Sequence, residues 1–327
     1  MKKLAFICAI GQETFVEKIV QQFEKTEGYQ VHRYYTNQQS DIIDAVKWAD
    51  IIWLEWCNEI SIYASNLYEI QKKGVILRLH SYEALAALPS GVRWESVDYL
   101  VYVAPHIQNI VKRRFPEIAE RVCEKVVPNG IDIDRIKLNE VRNPYDIAYV
   151  CNINHKKNPA LALQIMAELV NPRDDENGWI AEPKYKLHVA GAFQDERYKI
   201  YMEHMAKEMG IADNIIYYGF VNDMETFWKG KGIILSTSIH EGHPYNIMEG
   251  AARGLRPVIH NFIGSKELYP ADWLFNTVHE AAEYIYWDSG SISAENIRQH
   301  IIDRGWTLDN MMNQFKELVE KAGEPKL

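Results

Sequence analysis

The chain has 327 residues, of which 47% are hydrophobic, 12% aromatic and 25% charged, a composition that excludes disorder, collagen and a disulfide mini-scaffold and provides for two domains, each with its own core. The formal net charge is −9, and residues 1–142 hold 18 Lys and Arg against 19 Asp and Glu while the remainder holds 18 against 26. Neither half has the basic excess that duplex nucleic acid demands, so no nucleic-acid partner is expected.

The predicted elements begin at the N-terminus. Met1-Lys2-Lys3 followed by apolar Leu4 to Ile10 reads as a first strand rather than a signal peptide, because no small-x-small cleavage site follows. Further strands are expected at Tyr29–Tyr34, Ile51–Glu55, Gly74–Leu79, Tyr99–Val103 and Lys125–Val127. Helices fall between them, including Thr14–Lys25, with Phe15, Ile19, Val20 and Phe23 on one face, and Ile107–Phe115. Arg142-Asn143-Pro144 reads as a linker. Beyond it strands at Asp146–Cys151, Lys186–Ala190, Ile215–Tyr218, Gly232–Ser236 and Val258–His260 alternate with helices at Pro159–Leu169, Tyr198–Met209, Asp223–Trp228 and Asn246–Arg253. The polar insert Asn171 to Lys184, with Pro172, Gly178 and Pro183, reads as a surface loop.

Near-continuous apolar strands spaced by helices imply parallel sheets covered on both faces. The expected architecture is α/β: two Rossmann-like, doubly wound domains facing across a cleft, at residues 1–142 and 143–305, with a C-terminal helical stretch, 306–327. Cys8, Cys57, Cys123 and Cys151 lie far apart with no Cys-x-x-Cys pair, so buried free thiols in a reducing cytoplasm are expected, and no apolar run approaches a membrane span.

In open α/β sheets ligands bind beyond the C-terminal strand ends. The first such loop, Gly11-Gln12-Glu13-Thr14, has no dinucleotide fingerprint. Arg78-Leu79-His80-Ser81 puts an imidazole at the rim of the fourth strand, where a functional and a purely structural histidine are equally expected. The richest stretch is Ser236 to Ala252. There Gly242 and Pro244 shape a turn after a strand, and a helix starts near Asn246. The N–H groups around His243, Tyr245 and Asn246 would face the site, ready for a phosphate. Glu241 lies in the loop and Glu249 one turn into the helix. His240 and His243 do not make the His-Glu-x-x-His zinc pattern, and no metal is expected.

On these residues the stretch His240–Pro270 resembles the donor-binding signature of the family-four glycosyltransferases (glycosyl transferases group 1), retaining nucleotide-sugar enzymes of the GT-B fold. Glu241 and Glu249 match the family's Glu-x7-Glu, Gly254-Leu255-Arg256-Pro257-Val258 is similar to its Gly-x-Pro-Val with one added residue, and Gly264-Ser265-Lys266-Glu267 resembles its Gly-x-x-Glu. Val127-Pro128-Asn129-Gly130, Val189-Ala190-Gly191 and Tyr218-Gly219-Phe220-Val221 follow in the family's order. Where the family carries an Arg and a Lys against the diphosphate, this chain reads Cys151-Asn152-Ile153-Asn154-His155-Lys156-Lys157. Lys157 matches the Lys, Asn152 replaces the Arg, and charge compensation shifts to Lys156. The loop at Gly11, on the acceptor side, lacks the family's paired glycines.

The resemblance implies transfer of a hexose from a nucleoside-diphosphate sugar to an acceptor glycan, lipid or small molecule, with retention of configuration. It implies no cofactor and no metal. Glu249 would receive the ribose hydroxyls, Glu241 and His80 the sugar hydroxyls, and Lys157 the diphosphate, while the resemblance also makes Trp306–Ala322 a final helix returning toward the first domain. Trp53, Trp56, Tyr63 and Tyr82 are candidates for an acceptor groove, though such aromatics equally build cores. Lys112-Arg113-Arg114 is either a peripheral membrane contact or a solvated helix face. A GT-B sugar-nucleotide epimerase and a catalytically silent sugar-binding or partner module remain alternatives.

Overall fold

The structure, a computed structural model, describes residues 1–171, 184–288 and 292–324. Most of the expected surface loop, at 172–183, lies outside the described residues. The chain forms two compact units, one made of Met1–Gly130 and Leu308–Leu327, the other of Ile131–Thr307.

Unit one is built on a sheet of six parallel strands, β1 (Lys2–Cys8), β2 (Tyr29–Tyr35), β3 (Ile51–Glu55), β4 (Gly74–Leu79), β5 (Tyr99–Tyr102) and β6 (Cys123–Val126). Their order is β2-β1-β3-β4-β5-β6. Every residue of β3 and β4 is buried, whereas the edge strands β2 and β6 include exposed residues, as a sheet covered on both faces requires. Cys123 opens β6 and is exposed, a correction to the expectation of buried thiols. Cys8 and Cys57 are buried, Cys151 is half-buried, and all four are free.

Helix Glu17–Glu24 buries Ile19, Val20 and Phe23. Phe15, expected on the same face, instead ends a separate turn, Glu13–Phe15, and stays 37% exposed. The C-terminal helix Leu308–Ala322 buries Leu308, Met311, Met312, Phe315, Leu318, Val319 and Ala322, the spacing of a single apolar face. That face packs with Phe6, Trp53 and Ile76, and the Phe315 ring stands edge-on to Trp53 at 4.8 Å.

Unit two contains β7 (Arg142–Val150), β8 (Lys186–Ala190), β9 (Ile215–Gly219), β10 (Gly230–Ser236), β11 (Arg256–His260) and β12 (Leu274–Phe275), all parallel, in the order β12-β11-β10-β7-β8-β9. Ile147, Leu187 and Ile233 fill one face, with Leu163 and Met166 of helix Pro159–Val170. Ala148, Ala190 and Ile234 fill the other, with Phe227, Trp228 and Leu255.

Two sequence expectations are corrected here. Arg142-Asn143-Pro144 is no linker but the start of β7, pairing with Gly230 and Lys231. Pro144 is tolerated because the β7–β10 register shifts between Lys231 and Ile233, where the ladder needs no donor from it. The units accordingly divide at Gly130/Ile131 and again at Thr307/Leu308. The two-residue strand β12 is too short to leave a periodic trace. Among the described residues no helix is long and apolar enough to cross a membrane.

Candidate functional site

In unit two the loop after β7 is folded by its asparagines. The Asn154 side chain accepts from the Lys157 N–H at 3.2 Å and caps the turn His155–Lys157. Asn158 takes the left-handed conformation, φ 49°, which asparagine tolerates, and Pro159 starts the next helix. The loop is fastened from the neighbouring strand end. Tyr149 Oη and Thr237 Oγ1 donate to the Lys157 carbonyl at 2.8 and 2.7 Å, and the Ile239 N–H donates to the Lys156 carbonyl at 2.9 Å.

With its backbone so held, this loop brings both lysines to the buried Glu241 carboxylate. Lys156 Nζ lies 3.2 Å from Oε2, and Lys157 Nζ pairs with Oε1. Burial pushes the Glu241 carboxyl up, but Lys157, then Lys156, and a hydrogen bond from Ser238 outweigh it and hold the group below its ordinary value. Two cations facing one carboxylate leave a local positive excess beside a helix start, an arrangement suited to an anionic ligand.

That helix is Tyr245–Ala252, with Pro244 at its N-cap. Asn246 does not offer its side chain to a ligand: Nδ2 donates to the Val150 carbonyl at 2.8 Å and ties the helix start to the end of β7. Gly242, His243 and Pro244 are buried, Tyr245 and Glu249 half-buried. The His243 ring stands edge-on to Trp306 at 4.4 Å. Gly191, at φ 138°, lets the end of β8 close on β7, since a β-carbon there would overlap the Cys151 carbonyl. Asn152 is exposed, and its neutral amide supplies none of the charge that an Arg there would. Tyr269, which no sequence motif singles out, is buried near Glu241. Its phenol is pushed well up, first by burial and then by that carboxylate, and its hydroxyl has no hydrogen-bond partner among the described residues.

In unit one His80 follows β4 and Gly11 follows β1. Gly11 is exposed, at φ 85°, and its neighbour Gln12 is pinned by Trp56 Nε1 to its carbonyl at 3.1 Å and by Asn58 Nδ2 to its Oε1 at 3.0 Å. The His80 ring stacks on Trp56 at 3.8 Å and meets Phe15 edge-on at 5.2 Å. Its Nε2 lies 2.7 Å from Glu55 Oε1, which also accepts from Arg78 Nη1 at 3.0 Å. No sequence motif assigns a role to Glu55 or Arg78. The signal is a single charge at or next to the end of each of two apolar strands, whose register sets Glu55 opposite Arg78. Of the aromatics considered for an acceptor, Trp53 is core, Trp56 is 9% exposed and Tyr82 is 42% exposed. Lys112 pairs with Glu124 at 3.1 Å and Arg114 donates to the Ala84 carbonyl at 3.1 Å. Among the described residues no cluster of three His, Cys, Asp or Glu side chains is arranged to hold a metal ion.

Residues 130–271 match the family of glycosyl transferases group 1. The matched stretch lies almost wholly within unit two. No curated protein matches the chain by sequence. Among solved structures the chain is similar to the Anabaena HepE protein in complex with UDP-glucose, at 15% identity and TM-score 0.77, covering 98% of this chain and 100% of that one. It is also similar to sucrose-phosphate synthase of Thermosynechococcus elongatus, at 11% identity and TM-score 0.77, covering 98% and 99%. A glycosyltransferase of Rickettsia africae gives 12% identity and TM-score 0.72, covering 98% of both chains. The fold, two six-stranded parallel sheets with their helices, is that of the GT-B glycosyltransferases.

Proposed function

We propose that this glycosyltransferase moves a hexose from a nucleoside-diphosphate sugar to an acceptor hydroxyl with retention of configuration and without a metal cofactor. The observation that carries the reading is the meeting of Lys156, Lys157 and Glu241 beside the start of helix Tyr245–Ala252, within the stretch that matches the group 1 family. As the donor's glycosidic bond breaks, negative charge builds on the departing diphosphate. Ammonium groups and helix N–H groups already in position stabilise that charge more than they stabilise the ground state. Glu241 keeps both lysines in place and is assigned to sugar hydroxyls.

Glu249, half-buried four residues into the same helix, is assigned to the ribose diol, for which a two-oxygen acceptor is suited. HepE, a structural relative, was crystallised with UDP-glucose, which supports a uridine donor as the first to test. The test has two parts. Incubation with UDP-hexoses and a panel of acceptors should release nucleoside diphosphate and form a glycoside of unchanged anomeric configuration. Glu249→Ala should weaken binding of the nucleoside diphosphate by about 1.5 to 3 kcal/mol in calorimetry. Equal affinity in a folded variant would remove Glu249 from the donor site.

A further inference from the structure

The sheet of unit one ends in a charged group that the donor site does not account for. Glu55 is fully buried at the end of β3, and three donors converge on it: Arg78 Nη1 at 3.0 Å and His80 Nε2 at 2.7 Å on Oε1, and Trp53 Nε1 at 2.7 Å on Oε2. Arg78 is itself fully buried and reaches the Asn129 side chain with its other amino group. A carboxylate beside a buried guanidinium keeps its charge and can only accept hydrogen bonds. The proton between Glu55 and His80 therefore belongs to Nε2, and in the neutral imidazole Nδ1 is left as a lone pair.

The ring has little freedom to present anything else. It stacks on Trp56 at 3.8 Å and 24°, and Phe15 closes its edge at 5.2 Å. The His80 backbone N–H donates to Glu83 Oε1 at 3.2 Å. Trp56 holds its place in a left-handed conformation, φ 71°, costly for a tryptophan, with its N–H on the Arg78 carbonyl at 3.0 Å and its indole on Gln12. Nδ1 has no hydrogen bond among the described residues.

We propose that Glu55 is a positioning residue for His80, fixing the Nε2–H tautomer so that Nδ1 accepts a hydrogen bond from a substrate hydroxyl. The ligand group so received is a neutral alcohol of a polyhydroxylated substrate. An ammonium or amide donor would satisfy Nδ1 equally, but the aromatic walls, with Tyr82 tilted against Trp56 at 5.6 Å, favour the face of a sugar over a charged amine. Glu55 on β3 contacts the ring, Arg78 on β4 pairs with Glu55, and Glu83, on the short helix after β4, lies close enough to act on the ring electrostatically.

The catalytic part of this proposal rests on the transferase reading, and the tautomer does not, so the two fail separately. In the ligand-free wild-type protein, nitrogen NMR of the His80 ring at pH 7.5 should give a protonated Nε2 and an unprotonated Nδ1. The opposite tautomer overturns the proposal whether or not any activity is found. With an active donor and acceptor, Glu55→Gln should lower kcat on the order of 10- to 100-fold with a smaller change in donor KM. Glu55→Asp should restore part of the loss. Because Glu55 acts through His80, Glu55→Gln in a His80→Ala background should cost nothing further. An equal loss in both backgrounds would make Glu55 a structural residue only.

Discussion

Glu241 stands between two lysines, and its titration can be read out. Its carboxyl is lowered from an ordinary value of 4.5, the two ammonium groups overcoming the cost of burial. A folded value below the unfolded one means that the unfolded chain binds the proton first. The pairing therefore contributes its full stability above about pH 4.5 and loses it as the pH falls through the lower, folded value. Glu241→Gln removes this contribution and leaves Lys156 and Lys157 facing each other. With side chains 32% and 16% exposed, the lysines keep some solvent, so the expected loss is about 1 to 3 kcal/mol rather than that of a wholly buried pair. Chemical denaturation of wild type and variant should differ by a constant amount from pH 5 to 8 and converge toward pH 3. A difference that stays constant down to pH 3 would mean that the carboxylate is not held by the lysines.

At the scale of elements, the loop that holds Lys156 and Lys157 depends on close strand ends. Gly191 closes the end of β8 onto the Cys151 carbonyl, with its N–H on the Gly219 carbonyl at 2.7 Å. Gly191→Ala meets both an unfavourable φ and a backbone overlap and should cost about 2 to 4 kcal/mol, measurable as a lowered urea midpoint. A midpoint equal to wild type would mean that β7 and β8 part there without penalty. The sequence made this element readable, since a glycine after Val189-Ala190 marks a strand end under constraint. The central strands were equally legible, because runs such as Ile51–Leu54 and Val75–Leu77 are apolar on both faces. Less was legible where the information is not local. Lys157 and Glu241 are 84 residues apart, and only resemblance, not spacing, suggested that they serve one site. Glu55 and Arg78 each look like an ordinary strand terminus until the β3–β4 register sets them side by side. Pro144 read as a break because the register shift that accommodates it lies in β10, a distant segment.

On the scale of the whole molecule, the chain leaves unit one after Gly130 and returns to it at Leu308, so the first unit is complete only once the last helix has been added. Three contacts fix that helix. Phe315 meets Trp53 edge-on at 4.8 Å, Arg78 lies over the Phe315 ring at 5.5 Å, and a β-carbon on Gly74 would overlap the Ala322 carbonyl. The same Arg78 holds Glu55, so the terminal helix supports the buried charges of β3 and β4 as well as the apolar face. Phe315→Ala should therefore cost unit one about 3 to 5 kcal/mol, the usual penalty for emptying a large aromatic site. Among the described residues, the two clusters on the faces of the unit-two sheet contain no residue of 308–322, and binding of a nucleoside diphosphate by unit two should survive the substitution. Thermal unfolding followed by tryptophan fluorescence, with calorimetry at a temperature where the variant remains folded, separates the two effects. Wild-type stability would show that the Phe315 site closes without loss, and a folded protein that no longer binds nucleotide would show that the donor site depends on the terminal helix after all.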